Sequence, residues 1–172
     1  HFADLISQHD LILPIGENMY VSTRKYYAEA TYHHSKDLSL AEKIVKELHP
    51  EYAEALEDYL TGTVQYFGNI AIFSRPVLTD YCRWLFPILE EFDRRADLHD
   101  YGPQELRVDG YLAERLLGVY YTKNKNKLRT LELPRIHFLA DDEYKKRKLL
   151  NTVLPPGTKR RALVKQCSRF KQ

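Results

Sequence analysis

Glu114 and Arg115 are adjacent charges inside an otherwise apolar run from Arg107 to Tyr120. Apolar residues recur at Leu106, Tyr111, Leu112, Leu116, Val119 and Tyr120, the spacing of a helix that turns one stripe toward a core. Arg107, Glu114 and Arg115 fall at the edges of that stripe. Charges half-sunk beside apolar surface are costly unless they pair with each other or with a ligand. Two readings therefore stand side by side: an ion pair that anchors the helix, and a polar site where guanidinium groups meet an anion.

Three other groupings have side chains suited to chemistry. His33 and His34 precede Asp37; adjacent side chains diverge on a helix or a strand, so a shared metal is disfavoured and one histidine bonding a substrate is preferred. Tyr66-Phe67-Gly68-Asn69 reads as a strand break that brings backbone and an amide to a ligand, or as an ordinary bulge. Asp97, Asp100 and Asp109 cluster ahead of the Arg107 helix, where a general base could sit, but they read first as caps and surface charges. The sequence has no phosphate-cradling Gly-rich loop, Ser-centred elbow, Asp-x-Asp pair or Cys/His metal spacing. It identifies no cofactor and leaves a divalent metal open.

The elements that must position these residues follow from pattern. Leu5-Ile6 ends a short helix, and Asp10-Leu11-Ile12-Leu13-Pro14 is a buried strand stopped by proline. Asp37 or Ser39 caps a helix that ends near Leu48-His49-Pro50, and Glu51 to Leu60 forms another, stopped by Thr61-Gly62-Thr63. Val64 to Phe73 reads as one strand interrupted only at Gly68-Asn69. Arg75-Pro76 opens a helix reaching Asp97, with Leu78, Tyr81, Cys82, Leu85, Phe86, Leu89 and Phe92 facing inward and a kink at Pro87. Short strands at Leu128 to Leu133 and Arg135 to Leu139 flank Pro134.

With 172 residues, 44% of them hydrophobic, the chain can bury a real core. Thirteen Tyr and seven Phe favour a cleft of aromatic faces with polar edges, suited to sugars or bases. Cys82 and Cys167 share no motif, which fits a reducing, cytoplasmic setting. The net charge of +2 hides a split: of 26 Lys/Arg, ten lie in 145–172, where there is no acid, and the other 16 face 24 acidic residues. An acidic body makes nucleic acid the weaker partner for the basic tail. An anionic membrane surface is preferred, at about 1 kcal/mol of attraction per Lys or Arg near the leaflet.

Five ordered segments together resemble a family of bacterial capsular and exopolysaccharide glycosyltransferases catalogued as a domain of unknown function. They are Asp10-Leu11-Ile12-Leu13-Pro14; Tyr26-Tyr27 through Tyr32-His33-His34 to Asp37-Leu38; Phe67-Gly68-Asn69-Ile70-Ala71-Ile72-Phe73; Tyr81-Cys82-x-Trp84-Leu85-Phe86; and Arg107-x-x-Gly110-x-x-x-Glu114-Arg115-Leu116-Leu117 followed by Leu133-Pro134-x-Ile136. The resemblance covers about residues 5 to 138. Gly68 departs from it, standing where the family pattern has a larger residue.

The resemblance implies an α/β fold: the helix-rich C-terminal portion of a GT-A-like nucleotide-diphospho-sugar transferase, over residues 1–140 with an incomplete sheet, followed by a basic tail, 141–172. The family's earlier segment, with its His-Tyr-Arg-Arg motif, is expected to precede residue 1. The implied activity is sugar transfer from a nucleotide-sugar donor to a lipid-linked glycan acceptor, performed in the cytoplasm at the inner face of the membrane. His33, Asn69, Arg107, Glu114 and Arg115 are the substrate-binding positions it implies, with no catalytic residue assigned. The competing expectation is a non-catalytic interaction module that binds partners through an aromatic cleft and the tail.

Overall fold

The computed structural model describes residues 2–135, 149, 152–154, 158–161 and 163–164. The expected strand at 135–139 therefore lies almost wholly outside the described residues, as does most of the basic tail.

Leu11–Pro14 (β1) is buried at all four positions, because its run of apolar side chains is covered on both faces. It is the central strand of a small mixed sheet. Ile72–Phe73 (β4) pairs with it antiparallel, Leu11 opposite Phe73, and Thr130–Leu133 (β5) runs parallel on its other side, Leu11 opposite Thr130. Arg129 fixes the start of that parallel pair. Its guanidinium donates to both Asp10 oxygens at 2.8 and 3.0 Å, holding the Asp10 carboxyl down to about 2. Glu17–Asn18 (β2) and Val64–Gln65 (β3) form a separate two-stranded ribbon.

Residues 2–135 contain six α-helices: Phe2–Gln8 (α1), Thr23–Ala28 (α2), Ser35–Leu48 (α3), Ala53–Thr61 (α4), Arg75–Arg95 (α5) and Val108–Asn124 (α6). The chain is thus a helix-rich α/β fold. α6 runs through the middle of the helical layer against α3, α4 and α5, with Leu112, Leu116, Leu117, Val119, Tyr120 and Tyr121 all buried. Its apolar surface continues round the helix, as a core helix requires. That corrects the expected one-sided stripe: Leu106 is exposed in a 3-10 turn ahead of α6, and Arg115, placed at an edge from sequence, is only 2% exposed.

Three further expectations are corrected. His34 takes the N-cap position of α3, not Asp37 or Ser39, and makes no side-chain cap; Asp37 is buried in the first turn. The expected strand 64–73 is two short strands in different sheets, because Gly68 (φ 95°) and Asn69 (φ 51°) turn the chain through consecutive left-handed conformations. On α5, Val77, Trp84 and Ile88 join Tyr81, Leu85 and Phe92 in the core, leaving Leu78 and Phe86 exposed. Pro87 lies on the exposed side of α5, which continues unbroken past it.

Candidate functional site

The α2 helix and the loops after α2 and β3 bring an aromatic platform against the first half of α6. Arg115 sits under it, its Cζ 6.0, 5.8 and 5.7 Å from the rings of Tyr26, Tyr27 and Phe67. Its guanidinium pairs with the Glu114 carboxylate, and its Nε is buried with no hydrogen-bond partner. Guanidinium groups lie well on aromatic faces, which compensates part of the lost hydration. Burial pushes the Tyr27 hydroxyl well above its ordinary range, with Asp37 adding to the rise and Arg115 opposing it.

From Tyr27 the stack continues outward. The His33 ring lies between Tyr27 (centroids 4.4 Å apart) and Tyr111 (4.1 Å), and the Arg107 Cζ stands 5.8 Å from the Tyr111 ring. Arg115, Tyr27, His33, Tyr111 and Arg107 therefore form one column linking a buried arginine to an exposed one. Arg107 ends the 3-10 turn Glu105–Arg107, and Gln104 Oε1 accepts from it at 3.4 Å. That long contact leaves most of its five donors to solvent or ligand.

The Phe67–Gly68 peptide is held at both ends. Its N–H, on Gly68, donates to Glu114 Oε2 at 2.5 Å; its carbonyl, on Phe67, accepts from Arg135 Nη1 at 3.3 Å, while Arg135 Nη2 donates to Glu17 at 2.7 Å. The clamp accounts for a small residue at 68, since a Cβ there would be strained by the positive φ and crowd Ile70. Asn69 then reaches α6, its Nδ2 donating to the Gly110 carbonyl at 3.3 Å. A Cβ on Gly110 would meet nothing within 4 Å, so packing does not require glycine there although glycine weakens a helix.

His33 and His34 diverge as expected. His34 Nε2 meets Glu105 Oε1 at 2.7 Å and its ring lies on Tyr101, centroids 4.5 Å apart. Tyr101 donates to the Asp37 carboxylate, 2.9 Å from each oxygen. These ties fix the 101–107 turn that carries Arg107. Burial is the main cause raising the Asp37 carboxyl above its ordinary value; the Tyr101 bond, His34 and Lys36 oppose it, and Glu105 reinforces it. The native state thus favours neutral Asp37, a contribution fully present below the unfolded carboxyl pKa and lost as pH rises through the folded one. Asp37→Asn keeps an acceptor for Tyr101 and removes that loss. Its thermal midpoint is expected to exceed the parent's at pH 7 and to match it near pH 3.5, measured by circular dichroism.

The structure brings His33, Asn69, Arg107, Glu114 and Arg115 into one neighbourhood. The three aspartates do not join it: Asp97 accepts from the His99 N–H, Asp100 pairs with His99 at the surface, and Asp109 is half-buried with its carboxyl raised by desolvation and by Asp93. Among the described residues no three His, Cys, Asp or Glu side chains are grouped to hold a metal. Sequence reasoning missed Glu17, Tyr101, Glu105 and Arg135. The Gly102–Glu105 spacing was a usable signal, because the Gly102 N–H donates to Glu105 Oε2 at 2.7 Å. Nothing local marked Arg135. Two surface hollows lie elsewhere, one along α5 and one lined by Arg24, Glu42 and Glu57 among others.

No helix among the described residues is long and apolar enough to cross a membrane. The fold is similar to that of the WbbM bifunctional glycosyltransferase in its apo structure, with a TM-score of 0.73 and 26% identity. The match covers 80% of this chain but 27% of that one, so the chain corresponds to roughly a quarter of a larger protein. No curated protein matches the sequence. Residues 1–125 match the family model described as Domain of unknown function (DUF4422), and the chain belongs to that family.

Proposed function

We propose that this chain forms the acceptor-side part of a glycosyltransferase, which moves a sugar from a nucleotide-sugar donor to a lipid-linked glycan in capsular or exopolysaccharide synthesis. The likeness to a bifunctional glycosyltransferase supports the class. The observation that carries the site is the column from buried Arg115 to exposed Arg107, ending beside the glycine at 110.

Each part has a use in this chemistry. Sugar transfer releases a nucleoside diphosphate whose charge grows as the glycosidic bond breaks, and a fixed guanidinium stabilises that charge most where it develops. Arg107 is exposed and poorly paired, so it serves as this clamp. Arg115 is too buried to touch the leaving group and acts through its neighbours, holding Glu114 and the ring stack. Tyr111 and His33, their faces engaged in the stack, hold Arg107 in position, Asn69 offers its amide oxygen, and Gly110 leaves room for close approach.

The test measures nucleoside diphosphate release from a panel of nucleotide sugars by the full-length protein. Arg107→Ala is expected to lower kcat/KM at least about tenfold, close to 1.4 kcal/mol of transition-state stabilisation. Its urea midpoint should stay at the parent value. Gly110→Ala should lower transfer as well while raising stability by about 0.5–1 kcal/mol. Unchanged turnover in Arg107→Ala would remove the clamp, and a parent protein inactive with every donor would remove the transferase reading itself.

A further inference from the structure

The outward side of α5 carries a second apolar stripe. Leu78, Cys82 and Phe86 follow at four-residue steps; Leu78 is 44% exposed and Phe86 53%. With Pro87 they floor an open groove of about 570 Å³ whose polar lining is Thr79, Arg83 and Glu90. Both charged residues are exposed, and among the described residues neither has an ion-pair or side-chain hydrogen-bond partner. Exposed apolar surface rimmed by unpaired charge is the composition of an interaction face.

The order of those charges selects the partner. Arg83 and Glu90 stand seven residues apart, about 10 Å along one helix face, and the midpoint between them falls between Phe86 and Pro87. A second α5 laid antiparallel across that midpoint brings each Arg83 to Glu90 of the partner subunit and sets the two Phe86-Pro87 pairs together. A parallel helix would oppose Arg83 to Arg83 and Glu90 to Glu90. The face is therefore complementary to itself under two-fold rotation, the requirement of an isologous contact. We propose that two copies of this chain associate through the outward face of α5, antiparallel, about an axis at Phe86 and Pro87.

The two-fold axis makes the proposal sharp, because any substitution acts twice. Sedimentation velocity on the 172-residue chain, at concentrations up to on the order of 100 μM, reads the association. Phe86→Ala, exposed in the single chain and central in the pair, is expected to weaken the dimer roughly thirtyfold or more. Arg83→Glu and Glu90→Arg should each weaken it about tenfold by opposing like charges at two places, and the two combined should restore it to within about threefold of the parent. All four proteins should keep the parent's circular dichroism. A parent that stays monomeric across that range would overturn the proposal. So would a double reversal no better than either single one, or a monomer unfolded by Phe86→Ala, which would show another part of the chain covering the groove.

Discussion

Arg115→Ala is expected to lower the unfolding free energy by about 3 kcal/mol or more in urea titration, the cost of removing one partner of a buried ion pair. Arg115 is 2% exposed and its side chain lies among Tyr26, Tyr27 and Phe67. Deleting it strips Glu114 of its countercharge, and Glu114 holds the Gly68 N–H. The Glu114 side chain is 21% exposed, so water recovers part of the loss and keeps the effect near the lower end of the range for buried pairs. The proposed sugar transfer would fall with the fold, so this substitution does not separate scaffold from site; Arg107 does that. Arg115→Met together with Glu114→Gln fills the space without a charge, and it should recover most of the stability. A midpoint shift in Arg115→Ala worth less than about 0.5 kcal/mol would show that the pair is not a structural tie.

The second large effect is at Gly118. The α4 and α6 helices approach so closely there that a Cβ would overlap the Tyr59 ring at Cζ, Cε2 and Oη. Tyr59 is 5% exposed and stacks with Tyr66, and its hydroxyl accepts from the Tyr66 N–H at 3.3 Å. The ring cannot yield without disturbing the start of the loop that leads to Gly68. Gly118→Ala should therefore destabilise by about 2–3 kcal/mol, although alanine is the better helix former by about 1 kcal/mol. Tyr59→Leu in the same chain should relieve the overlap, so a double-mutant cycle should give a coupling of about 1 kcal/mol or more. Additive effects would show that the helices separate easily at this point.

Where a residue's neighbours in sequence decide its conformation, the fold was legible. Leu11-Ile12-Leu13 before Pro14 is a continuous apolar run with a built-in stop, and it is the fully buried central strand. Arg75-Pro76 marked the start of α5 because proline at a helix start loses no hydrogen bond. In the stretch 64–73 the break at Gly68-Asn69 was legible but the change of sheet across it was not, because Glu114 and Arg135 hold the Phe67–Gly68 peptide from 46 and 68 residues away along the chain. The α5 stripe was only half legible because that helix has two apolar faces, and periodicity cannot say which one meets the core. The candidate site divides in the same way. Its residue types drew notice at His33, Asn69 and Glu114-Arg115, whereas the depth of Arg115 depends on rings supplied by α2 and the loop after β3.

The parallel pairing of β1 with β5 has a consequence for how the chain acquires its structure. Leu11 must meet Thr130 and Pro14 must meet Leu133, so the sheet closes a loop of more than a hundred residues. Such distant pairing is slow, because its entropic cost is met before the contacts form. A ribosome that has released the chain only as far as about residue 100 would hold Leu11, Ile12 and Leu13 without β5, one edge of a very apolar strand open to other chains. Synthesis of this protein should therefore pass through an aggregation-prone interval that ends only when residues 130–133 emerge.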